Sequence, residues 1–149
     1  LPQSPVFYAL IMMCAGVGIP IMAALNAGLG TRLQSPVLAA TILFLVAMLA
    51  SLLYLLIVVG VPSSVRAPST PWYFYLGGLL VVFYVLSVTW VAPRFGIGNA
   101  IAFVLLGQLF SMATIDQFGL MGAPQSVLTL PRFIGLIFMA VGVFLVVRK

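Results

Sequence analysis

Long apolar runs, broken by short polar stretches rich in Gly and Pro, make up almost the whole chain. Five of them, roughly at 6–28, 36–60, 73–92, 97–117 and 130–147, come to about the 20 helical residues that cross a hydrocarbon core about 30 Å thick. Apolar positions within each run are continuous rather than alternating, which predicts helices and argues against barrel strands. The breaks are "TRLQSP" (31–36), "VPSSVRAPSTP" (61–71), "APRFG" (92–96, expected as a tight turn) and "FGLMGAPQS" (118–126). Pro36, Pro71 and Pro131 fall where helices would begin, a position that does not need the missing N–H. Trp72, Tyr73 and Tyr75 open the third run, as residues of an interfacial aromatic belt do. The first run lacks a basic flank and an A-x-A-like cleavage site, so it is expected to be a span and not a signal peptide. The fold class that follows is an all-α membrane protein, one integral membrane domain over 1–149 with five transmembrane helices.

Composition agrees with the pattern. The 149 residues are 64% hydrophobic and 5% charged, where a soluble domain carries roughly 25% charged residues. Mean hydropathy is +1.34 and the sequence pI is near 10.0. Six basic residues against one acid point to loop anchoring at lipid headgroups, and no nucleic-acid partner is expected. Cys14 is the single cysteine and has no partner for an intrachain disulfide.

Five spans place the two termini on opposite sides of the membrane. The C-terminal side then receives Arg32, Arg94, Arg148 and Lys149, and the N-terminal side Arg66 and Arg132. The positive-inside rule puts the C-terminus in the cytoplasm by four to two, and by nothing once the last two residues are set aside. So small a bias permits insertion in both orientations.

The absence of His and the single carboxylate leave no acid–base pair, no Ser/His/Asp set and no metal cluster, so neither an enzyme nor a cofactor is expected. A transporter, a channel or a packing subunit remains. Gln108 lies near the middle of the fourth run, where its amide either contacts a substrate or pore, or hydrogen-bonds another helix. Ser111, one turn on from Gln108, is a further candidate for substrate binding, and with Gly107 on the same face it offers a weak small-residue surface. Asp116 follows on nearly the same stripe as Gln108 and Met112; it is a candidate for proton or cation coupling, or an ion-pair partner for Arg132. Tyr84, Ser87 and Trp90 occupy the later part of the third run and form either a ligand cage or a packing surface. Asn26 and Asn99 fall near span ends, where helix capping is expected and a vestibule lining is the alternative. Gly16, Pro20, Ala24 and Gly28 recur every four residues and predict one close-packing stripe, with a kink at Pro20. Gly135 and Gly142 offer a weaker surface of the same kind.

"GVGIPIMAALNAGLGTRLQSPVLAA" (16–40) is similar to the first-helix signature of the YdcZ-like branch of the drug/metabolite transporter superfamily. The similarity continues in order through "PWYFYLGGLLVVFYV", "APRFGIGNAIAFVLLGQLF", "IDQFGLMGAP" and "RFIGLIFMAVGVFLVV". The resemblance implies a multi-pass inner-membrane transporter. Five-helix members occur singly, in pairs, or fused into ten-helix forms whose halves are inverted repeats. A single one with little charge bias is expected to have dual topology and to pair with itself, or with a close paralogue, as an antiparallel homodimer. Transport would proceed by alternating access around a cavity between repeats. The resemblance carries over no substrate residue; it is the mid-span position of Gln108 that makes it the expected contact for an unidentified small-molecule substrate, in a cavity lined by spans one, three and four. The related four-helix multidrug exporters depend on a first-helix glutamate; the first run here carries no acid, which argues against that route for cationic drugs.

Overall fold

The computed structural model describes residues 4–61 and 70–147, and the described residues are helical apart from short connections. Helix α1 spans Pro5–Arg32, α2 Pro36–Tyr54, α3 Gly77–Phe95, α4 Ile97–Phe118 and α5 Leu130–Val147. A π-helical turn at Leu55–Val59 prolongs α2, and a 3-10 turn at Trp72–Leu76 leads into α3. With these turns included, five helical segments among the described residues are long and apolar enough to cross a membrane: Pro5–Arg32, Pro36–Val59, Trp72–Phe95, Ile97–Phe118 and Leu130–Val147.

The helix starts follow local chemistry. Ser4 and Ser35 accept from the N–H groups of Phe7 and Leu38 at 3.3 and 3.2 Å, with Pro5 and Pro36 next in each chain. Such caps satisfy donors that have no partner inside the helix. Between α1 and α2 the chain turns at Gln34, whose φ is 51°. Gly119 ends α4 at φ 58°, and its N–H bonds Ile115 O, the left-handed arrangement that favours glycine.

Two boundaries differ from the sequence expectation. α1 continues to Arg32 rather than ending near residue 28, because the Thr31 hydroxyl bonds Gly28 O at 2.8 Å and Leu33 N reaches Leu29 O at 2.9 Å. "APRFG" is not a turn: α3 runs through Pro93 to Phe95, and only Gly96, at φ 91°, leaves the helix. Pro93 removes one bond in the last turn, and the Arg94 guanidinium there bonds Trp90 O. The interior of "VPSSVRAPSTP", including Arg66, lies outside the described residues, as do Arg148 and Lys149.

The chain groups into two compact units, one reaching to Arg94 and one starting at Phe95. The core of the first is made of small side chains. Ala23, Asn26, Ala27 and Gly30 of α1 are buried, with Ala39 and Ala40 of α2 and Val85, Val88, Thr89 and Ala92 of α3. Gly30 sits at the closest approach: a Cβ there would meet Thr89 Cγ2 at 3.0 Å and Pro36 Cα at 3.4 Å. Small residues let backbones come together where lipid supplies no hydrophobic drive between helices.

That packed face is not the stripe the spacing predicts. Gly16, Ala24 and Gly28 are exposed, Pro20 is half-buried, and the space around Gly16 and Gly28 is open within 4 Å. Inside the subunit, close packing is displaced to Ala23, Ala27 and Gly30 because Asn26 and Gly30 fix the register of α1 against Thr89. Gly107, Gly135 and Gly142 are open in the same way.

The second unit pairs α4 with α5 through the loop between them. α5 has no fully buried residue, so most of its surface is left for lipid or for another chain.

Candidate functional site

Four groups of polar side chains stand out against the apolar helices. The first is internal to the unit that ends at Arg94. Asn26 Nδ2 donates to Thr89 Oγ1 at 2.5 Å, and the Thr89 hydroxyl donates to Val85 O at 2.7 Å. Both residues are buried, at 4% and 2% exposure. This corrects the expectation that Asn26 caps a helix: α1 continues past it, and its amide becomes an interhelical bond instead. Asn99 does bond a helix end, with Nδ2 donating to Phe95 O at 2.9 Å. Thr89 carried no signal in the sequence, since a lone Thr in an apolar run is common as a back-bonding residue.

The α3 residues Tyr84, Ser87 and Trp90 are differently placed. Tyr84 and Ser87 are half-buried, and Trp90 is exposed. The Tyr84 hydroxyl is shielded from solvent and has no hydrogen-bond partner among the described residues. The Trp90 indole is covered by Arg94, whose guanidinium carbon lies 4.7 Å from the ring centroid, a cation–π contact within one helix. An exposed Trp and Arg at a helix end match an interfacial anchor.

On α4, Gln108 and Ser111 are both exposed near the middle of the helix. Neither side chain has a hydrogen-bond partner among the described residues. A primary amide facing hydrocarbon costs several kcal/mol, so this face needs water, a ligand or a second chain.

The last group closes the end of α4. Asp116 forms an ion pair with Arg132 at the start of α5, and their side chains are 28% and 30% exposed. Arg132 Nη1 also donates to Ser126 Oγ at 2.6 Å and to Ser126 O at 3.1 Å. Ser126 N donates to Asp116 O at 2.9 Å, and Leu128 N to Gln117 Oε1 at 2.7 Å. The loop is thereby tied to both helices. Gln117 and Ser126 escaped the sequence reading, although Gln117 sits beside the only acid and before a Gly break. Beside this latch, α4, α5 and Leu128 of the connecting loop line an open cleft of about 340 Å³, formed largely by Leu, Phe and Ala, with Thr114 and Gln117 as its polar groups. Among the described residues no group of His, Cys, Asp or Glu is arranged to hold a metal.

The sequence profile of a family described as "Putative inner membrane exporter, YdcZ" matches residues 7–145. The chain belongs to this YdcZ family. The match takes in all but the ends of the chain and includes every residue group described above. No curated protein and no solved structure shows significant similarity to the chain. As a YdcZ-family protein with five membrane-crossing helices, it is a multi-pass inner-membrane protein of a transporter family.

Proposed function

We propose that this YdcZ-family chain is an exporter that works as an antiparallel homodimer by alternating access, with Gln108 and Ser111 on the substrate pathway between the copies. The observation that carries the reading is the exposure of Gln108 at the middle of α4. Hydrocarbon cannot satisfy its amide, whereas a pathway between two subunits supplies both water and substrate. The near balance of Lys and Arg across the faces is compatible with both orientations in one membrane. Inverted repeats then arise from two copies of one chain, the arrangement from which midplane transporter sites are built. Tyr84, with its unpartnered hydroxyl, and Ser87 are further substrate contacts in this scheme, and Trp90 marks the membrane interface.

The test compares solutes released by cells that overproduce the wild type, Gln108→Ala, or neither. A solute that accumulates outside only with the wild type, while Gln108→Ala still cross-links as a dimer, is the expected outcome. Export by Gln108→Ala at the wild-type rate removes Gln108 from the pathway. A variant that no longer dimerises assigns the amide to assembly, the role Asn26 plays inside the subunit.

A further inference from the structure

We propose that the cleft between α4 and α5 is a binding site for an uncharged amphiphile, its apolar body between the helices and its polar head on the Gln117 carboxamide. The cleft holds about 340 Å³, within the range of about 300–1,000 Å³ typical of small-molecule pockets. Ala113 on α4 and Ala140 on α5 line it, and these small side chains leave room that a leucine would occupy. Phe110 and Phe133 on the lining are exposed at 70% and 48%, so the cleft opens sideways through aromatic rims to a molecule arriving from hydrocarbon.

The polar end has a defined hydrogen-bonding character. The Leu128 N–H can only donate, so its 2.7 Å bond fixes Gln117 Oε1 as the acceptor and leaves the Nε2 donors for a ligand. The Thr114 hydroxyl spends its proton on Phe110 O at 2.9 Å and keeps its oxygen as an acceptor. An amide, alcohol or carbonyl head complements this pair.

Charge narrows the ligand further. Asp116 is the only acid in the chain, and it faces Arg132. A cation entering the cleft meets no free carboxylate, and an anion meets a guanidinium already held by Asp116 and Ser126. A charged ligand would be desolvated without compensation, whereas a neutral one would not. The site is separate from Gln108. At about 3.6 residues per turn, Leu109, Ala113 and Gln117 lie on a different face of α4 from Gln108 and Ser111.

The experiment is photolabelling of the full chain in phosphatidylcholine vesicles with a diazirine-bearing octanol, with adducts located by mass spectrometry. Expected are adducts concentrated on the α4 and α5 lining, reduced about five-fold or more by Ala113→Leu and by Ala140→Leu, which fill the cleft from opposite walls. Gly142→Leu, on an open part of α5, leaves them unchanged. Excess octan-1-ol competes, while octyltrimethylammonium and octyl sulfate do not. Adducts spread evenly over all five helices overturn the site, as does labelling that survives both filling variants in chains of normal helicity. Equal competition by the charged compounds overturns the ligand class. Competition on the wild type decides the matter even if both variants misfold, and no export measurement enters, so the transport reading stands or falls separately.

Discussion

At the scale of single residues, the polar side chains in this membrane protein divide by whether the subunit satisfies them. Asn26 Nδ2 donates to Thr89 Oγ1, whose own proton goes to Val85 O, and the Asn26–Thr89 pairing is the only side-chain hydrogen bond between helices in the first unit among the described residues. Thr89→Val keeps the shape and leaves a buried amide without its partner, which should cost about 1–2 kcal/mol in a thermal or denaturant melt of the detergent-solubilised protein. The double variant Asn26→Leu with Thr89→Val should cost less than the sum of the two single changes, because the pair acts as one unit. Asp116 and Arg132 are a third exposed or less, so screening trims their pair, and Asp116→Asn should lower stability by about 1 kcal/mol. If Asp116 only ties the loop down, export by Asp116→Asn follows the same profile against pH as the wild type; a different profile would make it a coupling group. The sequence made Asp116 and Gln108 visible because polar residues are rare here, but it could not say which had a partner. Partnership is set by residues far along the chain, such as Thr89 for Asn26.

At the scale of helices, the sequence located the spans closely and their packed faces poorly. α5 occupies the expected residues 130–147, and the other four segments overlap the expected runs with ends shifted by a few residues. Faces are harder because these helices are apolar nearly all round, so periodicity carries little orientation signal. The four-residue stripe through Gly16 and Gly28 is a real feature of the sequence, yet the subunit packs along Ala23, Ala27 and Gly30 instead. Two substitutions separate these faces. At Gly30 an added methyl meets Thr89, which cannot turn aside without losing its bonds to Asn26 and Val85, so Gly30→Ala should destabilise by about 1 kcal/mol or more. Gly28→Ala enters open space and should leave the melting temperature unchanged or raise it through better helix propensity. A Gly28→Ala protein that melts normally but dimerises less would assign the outer stripe to the subunit interface.

At the scale of the whole molecule, function in the proposed dimer depends on how many copies insert each way. The positive residues differ by only four to two between the faces, so one added charge carries weight. Gln34→Lys in the exposed α1–α2 turn should bias insertion toward a cytoplasmic C-terminus. Paired reporter fusions at the C-terminus, one active inside and one outside, should both respond in the wild type and only the inside one in the variant. Export should fall with the loss of mixed orientations and return when a variant of opposite bias is co-expressed. Export by a strictly one-way population would refute the antiparallel arrangement while leaving the cleft on α4 and α5 untouched.

Insertion is a sum over composition: each apolar residue adds its transfer free energy whatever its neighbours are, so membrane class, span number and approximate span limits follow from the sequence alone. The local starts and stops follow too, since Ser35 before Pro36 and Gly119 after Phe118 act within a few residues. Packing has no such additivity. Which side of α1 is buried, which carbonyl Thr89 bonds, and whether a cleft opens beside Ala113 depend on side chains from other helices arriving at one point. Only the tertiary structure decided that Asn26 is an internal bond, that Gln108 is exposed with no partner among the described residues, and that Gln117 lines a cleft with its Oε1 held by Leu128 N.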